Sequence, residues 1–236
     1  MNDGAQIINL SSSSTSQENE LKWAIARSMA QGIIITASAG NEATDGNTTS
    51  LSQWSGVVGV SAIGIDDSRQ DYSSWGQGVT TAAVGGPLVV HDYASGQVRQ
   101  VSGTSVSAPI VAGTLALARQ KWPNATSNQL LQLLVKTGLN PDHGWNQYMG
   151  YGAIDPAAIV NTDPTQFPDE NPLADKGGGS SPTPAEVQQY ADGVVDPTEI
   201  VNDNSYTYRG LDESKLTEPM NTSMTHLGTS PRYHAK

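Results

Sequence analysis

The chain has no cysteine, one phenylalanine and charged side chains at only 15% of its 236 positions. Without cysteine there is neither a disulfide framework nor a thiol site. No window of about 18 apolar residues occurs, so nothing reads as a membrane span. The opening MNDGAQIINLSSSS lacks the basic start and long apolar core of a secretory signal. Cations are also scarce: 12 Lys and Arg stand against 23 Asp and Glu, a net charge of −11. Nucleic-acid binding needs clustered Lys and Arg, so that class is excluded. The acidity is uneven, with 11 acidic and 7 basic residues in 1–160 but 12 and 5 in 161–236.

What is present is patterned. AQIINLS (5–11) is a short Ile-rich run, expected to be a buried strand. TSQENELKWAIARSMAQG (15–32) changes to helical spacing: Thr15 and Glu18 form a capping box, Leu21, Ile25 and Met29 share a face, and Gly32 stops the helix. IIITASAGN (33–41) and VVGVSAI (57–63) read as two further strands. Strand, helix and strand at these spacings predict a βαβ unit and a parallel sheet covered on both faces, an α/β fold. The Gly-, Ser- and Thr-rich stretch 64–103 is looser, with a strand pair expected around LVVHDY and QVRQVS. Two helices follow, over 105–122 and 127–138, the second burying Leu130, Leu133 and Leu134 and ending at Gly138. YGAIDPAAIV (151–160) closes the compact region. From 161 the chain is Pro-, Gly- and acid-rich without periodicity, and 161–236 is expected to be a linker and largely disordered tail.

The stretch QVSGTSVSAPIVAG (100–113) places hydroxyls at the mouth of an apolar helix. Thr104 or Ser105 can be read as a plain N-cap, or Ser105 as a nucleophile in the favourable field of a helix N-terminus. Asn41, after a strand and a glycine, can be a turn residue or an amide donor. A parallel α/β sheet collects its reactive groups at the carboxyl ends of its strands. Asn41 ends one strand and Ser105 opens the helix after a later one, and acyl transfer needs such a pair: a hydroxyl to attack and a donor for the oxyanion.

SGTSVSAPIVAG resembles the nucleophile motif of the subtilisin-like serine proteases, usually close to G-T-S-[MVA]-[AS]-[AS]-P-x-V-A-G. IINLSSSS resembles the family's I-N-[ML]-S-[LW]-G strand, ITASAGNE its A-A-A-G-N-[ED] segment, YSSWGQGVTTAAVGG its S-[FY]-S-[SN]-x-G … A-P-G stretch, and GYGAIDPAAIV its closing motif. Four of these in family order imply a partial three-layer parallel-sheet fold over 1–160. The resemblance implies Ser105 as nucleophile and its N–H, with the Asn41 amide, as oxyanion donors. It implies an edge at Ser11, Ser12 and Ser13 that pairs with an extended polypeptide substrate as an added strand. Ala37, Ser38, Ala39 and Gly40 become a pocket wall, with Glu42 at its rim. No cofactor is expected; calcium is common in the family, but no metal-binding loop is legible. A secreted or cell-surface location follows from the resemblance alone.

Two departures matter. Where the family has S-[LW]-G this chain reads SSS, so Ser13 adds a side chain beside the substrate path. A serine nucleophile also needs a base and an orienting group, which the family supplies in the chain order Asp, His, Ser. No D-[ST]-G or H-G-T-H occurs here. His91, His143, His226 and His234 read as surface or loop histidines. The expectation is therefore the C-terminal part of a catalytic domain, inactive alone, whose partner is the missing N-terminal half. The alternatives are a non-catalytic peptide-binding homologue and one part of a split enzyme.

Overall fold

A sheet buried on both faces needs a helix for each, and this sequence supplies them from opposite ends of the strand region. The computed structural model describes residues 1, 4–12, 19–46, 50–91, 96–140, 144–177 and 180–195. Strand β1 (Ile7–Leu10), helix α1 (Asn19–Ala30) and strand β2 (Ile34–Ser38) form the expected crossover. Strands β3 (Val57–Ile63) and β4 (Val79–Val84) extend the sheet in the order β1-β2-β3-β4, all parallel. The Thr15–Glu18 capping box lies outside the described residues.

Period two sorts the side chains of the strands. Ile35 and Val57 point to one face, where they meet Ile25 of α1, Leu51 and Trp54. Ile34, Val58 and Val60 point to the other, against helix α2 (Thr104–Lys121) and helix α3 (Ser127–Thr137). Helix α2 runs under the sheet on Ala108, Val111, Leu115 and Ala118, the spacing of a single helical face. Helix α3 starts from a Thr126–Gln129 capping box and buries Leu130, Leu131, Leu133 and Leu134. Strands β5 (Leu88–His91) and β6 (Val98–Val101) form the expected antiparallel pair as a separate sheet.

Strand β4 falls inside the stretch read from sequence as loose. Its VTTAAV carries no long apolar side chains, because it packs tightly: Ala82 and Ala83 are buried, Thr80 Oγ1 accepts from Gly59 N (3.2 Å), and the Ser107 hydroxyl reaches Ala83 O (3.0 Å).

The compact region also continues past the boundary expected at 160. After helix α4 (Pro156–Asn161) the chain crosses to the amino ends of the strands and docks there. Leu173, 3% exposed, joins the core under the sheet, Gly56 N donates to Leu173 O (2.7 Å) and Ser55 N to Ser181 O (3.1 Å). Helix α5 (Pro184–Ala191), opened by a Thr183–Glu186 capping box, then lies on α1 with Lys22 Nζ 3.0 Å from Glu186 Oε1. This strap carries no apolar periodicity because main-chain hydrogen bonds and one buried leucine hold it. Positions 196–236 of the expected tail lie outside the described residues. No helix among the described residues is long and apolar enough to cross a membrane.

Candidate active site

Sheet geometry brings two distant loops together. Leu10 pairs with Ala37 at the carboxyl ends of β1 and β2. The chain leaving β2 runs through the buried Ala37, Ser38, Ala39 and Gly40 to Asn41, and the Ser38 hydroxyl donates to Leu10 O (3.4 Å). On the other side, β6 leads through Ser102 and Gly103 into the first turn of α2. Gly103 N donates to Gly85 O (2.8 Å), and Tyr72 Oη donates to the same carbonyl (2.8 Å). Burial there pushes the Tyr72 phenol above its ordinary value, against a smaller opposing effect of its hydrogen bond with the Gly103 backbone.

Asn41 joins the two sides. Its Oδ1 accepts from Thr104 N (2.8 Å) and from Thr104 Oγ1 (3.0 Å), while Thr104 Oγ1 accepts from Gly40 N (3.1 Å). The N-cap position of α2 is Gly103, which has no side chain to give. Neither Thr104 nor Ser105 is the N-cap; a first-turn N–H is capped from another loop by Asn41. An amide N–H can only donate, so the atom facing Thr104 N must be the Asn41 oxygen. That fixes the amide plane, and Asn41 Nδ2 is turned away with both hydrogens unused among the described residues.

Gly103 brings the Asn41 amide and Ser105 to one place. Its φ is +144°, and a Cβ built there would stand 3.1 Å from Ser105 Oγ and 3.3 Å from Asn41 Nδ2. The Ser105 hydroxyl and the Asn41 amide, whose Oδ1 stands 3.5 Å from the same point, therefore both border the spot that a side chain at residue 103 would fill and a glycine leaves open. Ser105 Oγ, half-buried, makes no hydrogen bond among the described residues. Its N–H belongs to the first turn, where no carbonyl lies one turn below to receive it. A free hydroxyl, a free amide and an orphan N–H around one space can bind a carbonyl group, attack it and hold the resulting oxyanion.

The Asn41 loop is held from behind by the YSSWG segment. Ala43 N donates to Tyr72 O (2.9 Å), Ser74 N to Gly40 O (3.0 Å) and Trp75 N to Thr44 O (3.1 Å). Ser74 Oγ donates to Glu42 Oε2 (3.2 Å) and accepts from Glu42 N (3.3 Å), so Glu42 is fastened at the rim.

Ser11 and Ser12 are exposed beyond the end of β1; Ser13 lies outside the described residues. Although exposed, the Ser11 side chain has a partner: it donates to the carbonyl of Ser105 (2.9 Å). Sequence reasoning missed this contact and the pinning of Asn41 by Thr104. Thr104 stood in view as the neighbour of Ser105, but its partner loop is 63 residues away. His91 is exposed at the end of β5, and His143, His226 and His234 lie outside the described residues. No cluster of three or more His, Asp or Glu that could hold a metal ion occurs among the described residues. A cavity of about 260 Å³ lined by Gln77, Thr80, Trp145, Tyr151 and Lys176 lies at the amino end of β4, opposite Ser105. Ser105 and Asn41 lie at the other end of the strands, so the candidate site is an open rim and not that cavity.

The sequence is 33% identical to a thermostable alkaline protease of Halalkalibacterium halodurans over 137 residues, covering 58% of this chain and 37% of that protein. It is 31% identical to subtilisin DY of Bacillus licheniformis over 161 residues, covering 67% of this chain and 58% of that protein. Among solved structures, that of a lanthipeptide protease superimposes with a TM-score of 0.58 at 25% identity, over 67% of this chain and 62% of the other. The chain thus spans less than two thirds of each. The sequence model of the Subtilase family matches residues 1–152. The chain belongs to the Subtilase family.

Proposed function

We propose that this chain carries the nucleophile and the oxyanion-binding groups of a serine endopeptidase, and that the base and its orienting carboxylate come from polypeptide outside this sequence. The observation that carries the reading is the Asn41 amide, held through its oxygen by Thr104 at the mouth of α2, where it and Ser105 Oγ both border the spot left open by Gly103. An extended polypeptide would pair with the edge at Ser11–Ser13 and lay the residue before the scissile bond against Ala37–Gly40. Ser105 Oγ attacks the scissile carbonyl and gives its proton to the base. The carbonyl electrons move onto oxygen, where Asn41 Nδ2–H and the Ser105 N–H receive the charge. Collapse expels the amine, which takes the proton back, and water then cleaves the acyl-enzyme by the same route. The chemistry calls on no cofactor, and calcium enters only through the family resemblance. Family resemblance also supports a secreted or cell-surface site of action.

The test is labelling by a fluorophosphonate probe. The isolated chain is expected not to label, because Ser105 has no base to activate it. The product of the complete reading frame is expected to label at Ser105, and its Ser105→Ala variant not at all. Asn41→Ala in that protein should cost about 10²–10³ in kcat, the loss known for an oxyanion-hole amide in a subtilisin. A full-length product that stays unlabelled overturns catalysis. It would favour the second reading, a peptide-binding homologue, which the base-less Ser105 hydroxyl supports and which retention on an extended-peptide column would reveal.

A further inference from the structure

Pro109 stands four residues after Ser105, inside the first turns of α2. In an α-helix the carbonyl of residue 105 receives its hydrogen bond from the N–H of residue 109. Proline has no N–H, and its ring crowds the carbonyl four residues back and tilts it outward. The peptide that follows the proposed nucleophile is therefore released from the helix ladder. Its carbonyl is met from outside the helix by Ser11 Oγ at 2.9 Å, from a residue 94 positions away.

Ser11 is held for this contact. Asn9 Nδ2 donates to Ser11 Oγ (2.9 Å), and Thr36 Oγ1 donates to Asn9 Oδ1 (3.0 Å). Thr36 is fully buried in the middle of β2. The donor sense is the same at each step: with Asn9 supplying a hydrogen to its oxygen, the Ser11 hydroxyl proton is directed to the Ser105 carbonyl. The relay thus runs from the sheet interior through the β1 strand to the turn that carries the nucleophile.

We propose that Ser11 is a positioning residue that replaces the helix hydrogen bond removed by Pro109, and so sets the orientation of the Ser105 peptide from the strand that pairs with substrate. This rests on the reading of Ser105 as nucleophile and deepens it. A role confined to main-chain pairing with substrate would leave the Ser11 hydroxyl dispensable. The relay instead makes the β1 edge and the nucleophile turn one mechanical unit. Pro109 is what makes that necessary.

The test is a double-mutant cycle between Ser11→Ala and Pro109→Ala, read first by amide hydrogen exchange at Val106, whose N–H belongs to the Ser105 peptide and donates to Gly103 O (2.9 Å), in the chain as it stands. Ser11→Ala should speed exchange at this amide about 10-fold or more, and Ser11→Thr, which keeps the hydroxyl, should not. Pro109→Ala restores an N–H one turn above Ser105, so in that background Ser11→Ala should have little further effect. Equal effects of Ser11→Ala in the two backgrounds, or none in either, overturn the proposal. This readout needs no catalysis, so it stands apart from the fate of the peptidase reading. In a full-length product that labels, the same Ser11→Ala change should lower kcat several-fold with KM unchanged; a loss confined to KM would return Ser11 to substrate pairing alone and overturn the positioning role.

Discussion

The two ends of the parallel sheet are finished in opposite ways. At the amino end the strap is bonded to the strand entries almost wherever it touches them. Gly56 N meets Leu173 O, Ser55 N meets Ser181 O, and Lys176 Nζ donates to Ser52 O (2.9 Å) and Gly78 O (2.7 Å). At the carboxyl end the opposite rule holds around Ser105. Asn41 gives its oxygen to Thr104, its nitrogen and Ser105 Oγ have no partner among the described residues, and Gly103 leaves open the spot that both residues border. Asn41 is exposed and Ser105 half-buried, so water meets these groups at little cost until a ligand displaces it. The contrast locates the chemistry better than cavity size does.

The sharpest way to break the contrast is to fill the open space. Gly103→Ala places a methyl group against both Ser105 Oγ and the Asn41 amide, at a φ that L-residues rarely adopt. The backbone strain is about 1–3 kcal/mol. Probe labelling of a full-length product should fall by more than about 100-fold, because the proposed oxyanion donors and the proposed nucleophile are displaced together. Labelling at the wild-type rate would mean that the space is not the binding site.

Breaking the closed end should cost stability instead. Leu173→Ala empties a buried position under the sheet, and the expected loss is about 2–5 kcal/mol by chemical denaturation. A loss near zero would show that the strap does not share the core's cooperativity. Lys176 adds a pH signature. Burial pushes its ammonium down from 10.5 to about 7. Between about 7 and 10.5 the unfolded chain holds a proton that the folded chain has released, so folding stability rises with pH across that window; below 7 this group contributes no slope. Lys176→Met removes the slope. The destabilisation it causes should therefore be larger at pH 9 than at pH 6, and equal values would place the amine in water.

Much of the carboxyl end was legible before any coordinates, because the reading used local signals that survive folding. β3 falls on the expected 57–63, and α2 and α3 fall within a residue of their expected limits. The meeting of the Asn41 and Ser105 loops followed from placing each at a strand's carboxyl end. The amino end was not legible. β4 is built of Val, Thr and Ala, and its identity lies in close backbone packing rather than in apolar periodicity. The strap's single buried leucine gives no pattern, and its partners, Ser52, Ser55 and Gly78, are about a hundred residues or more away in the chain. The Ser11 contact was half visible. A proline four residues after Ser105 announces an orphaned carbonyl, but only the Leu10–Ala37 register tells which side chain answers it.

The weakest link between strap and sheet layer is the Lys22–Glu186 pair, and it separates docking by charge from docking by backbone. Both side chains are partly exposed, 19% and 24%, and such pairs contribute about 0.2–1 kcal/mol. Burial pushes the Glu186 carboxyl up, but hydrogen bonds from Thr183 and the Lys22 ammonium outweigh it, and the net shift is downward. A carboxylate held low stabilises the fold above its unfolded value and loses that contribution as pH falls through its folded value. Lys22→Met should therefore cost less than about 1 kcal/mol at pH 7, shrinking in high salt. Glu186→Ala should cost somewhat more, because the same carboxylate also accepts from Thr183 N (2.7 Å) at the start of α5 and alanine offers no acceptor there. If Lys22→Met cost as much as Leu173→Ala, the ion pair would be the principal anchor, and the closed end would owe its closure to charge rather than to main-chain pairing.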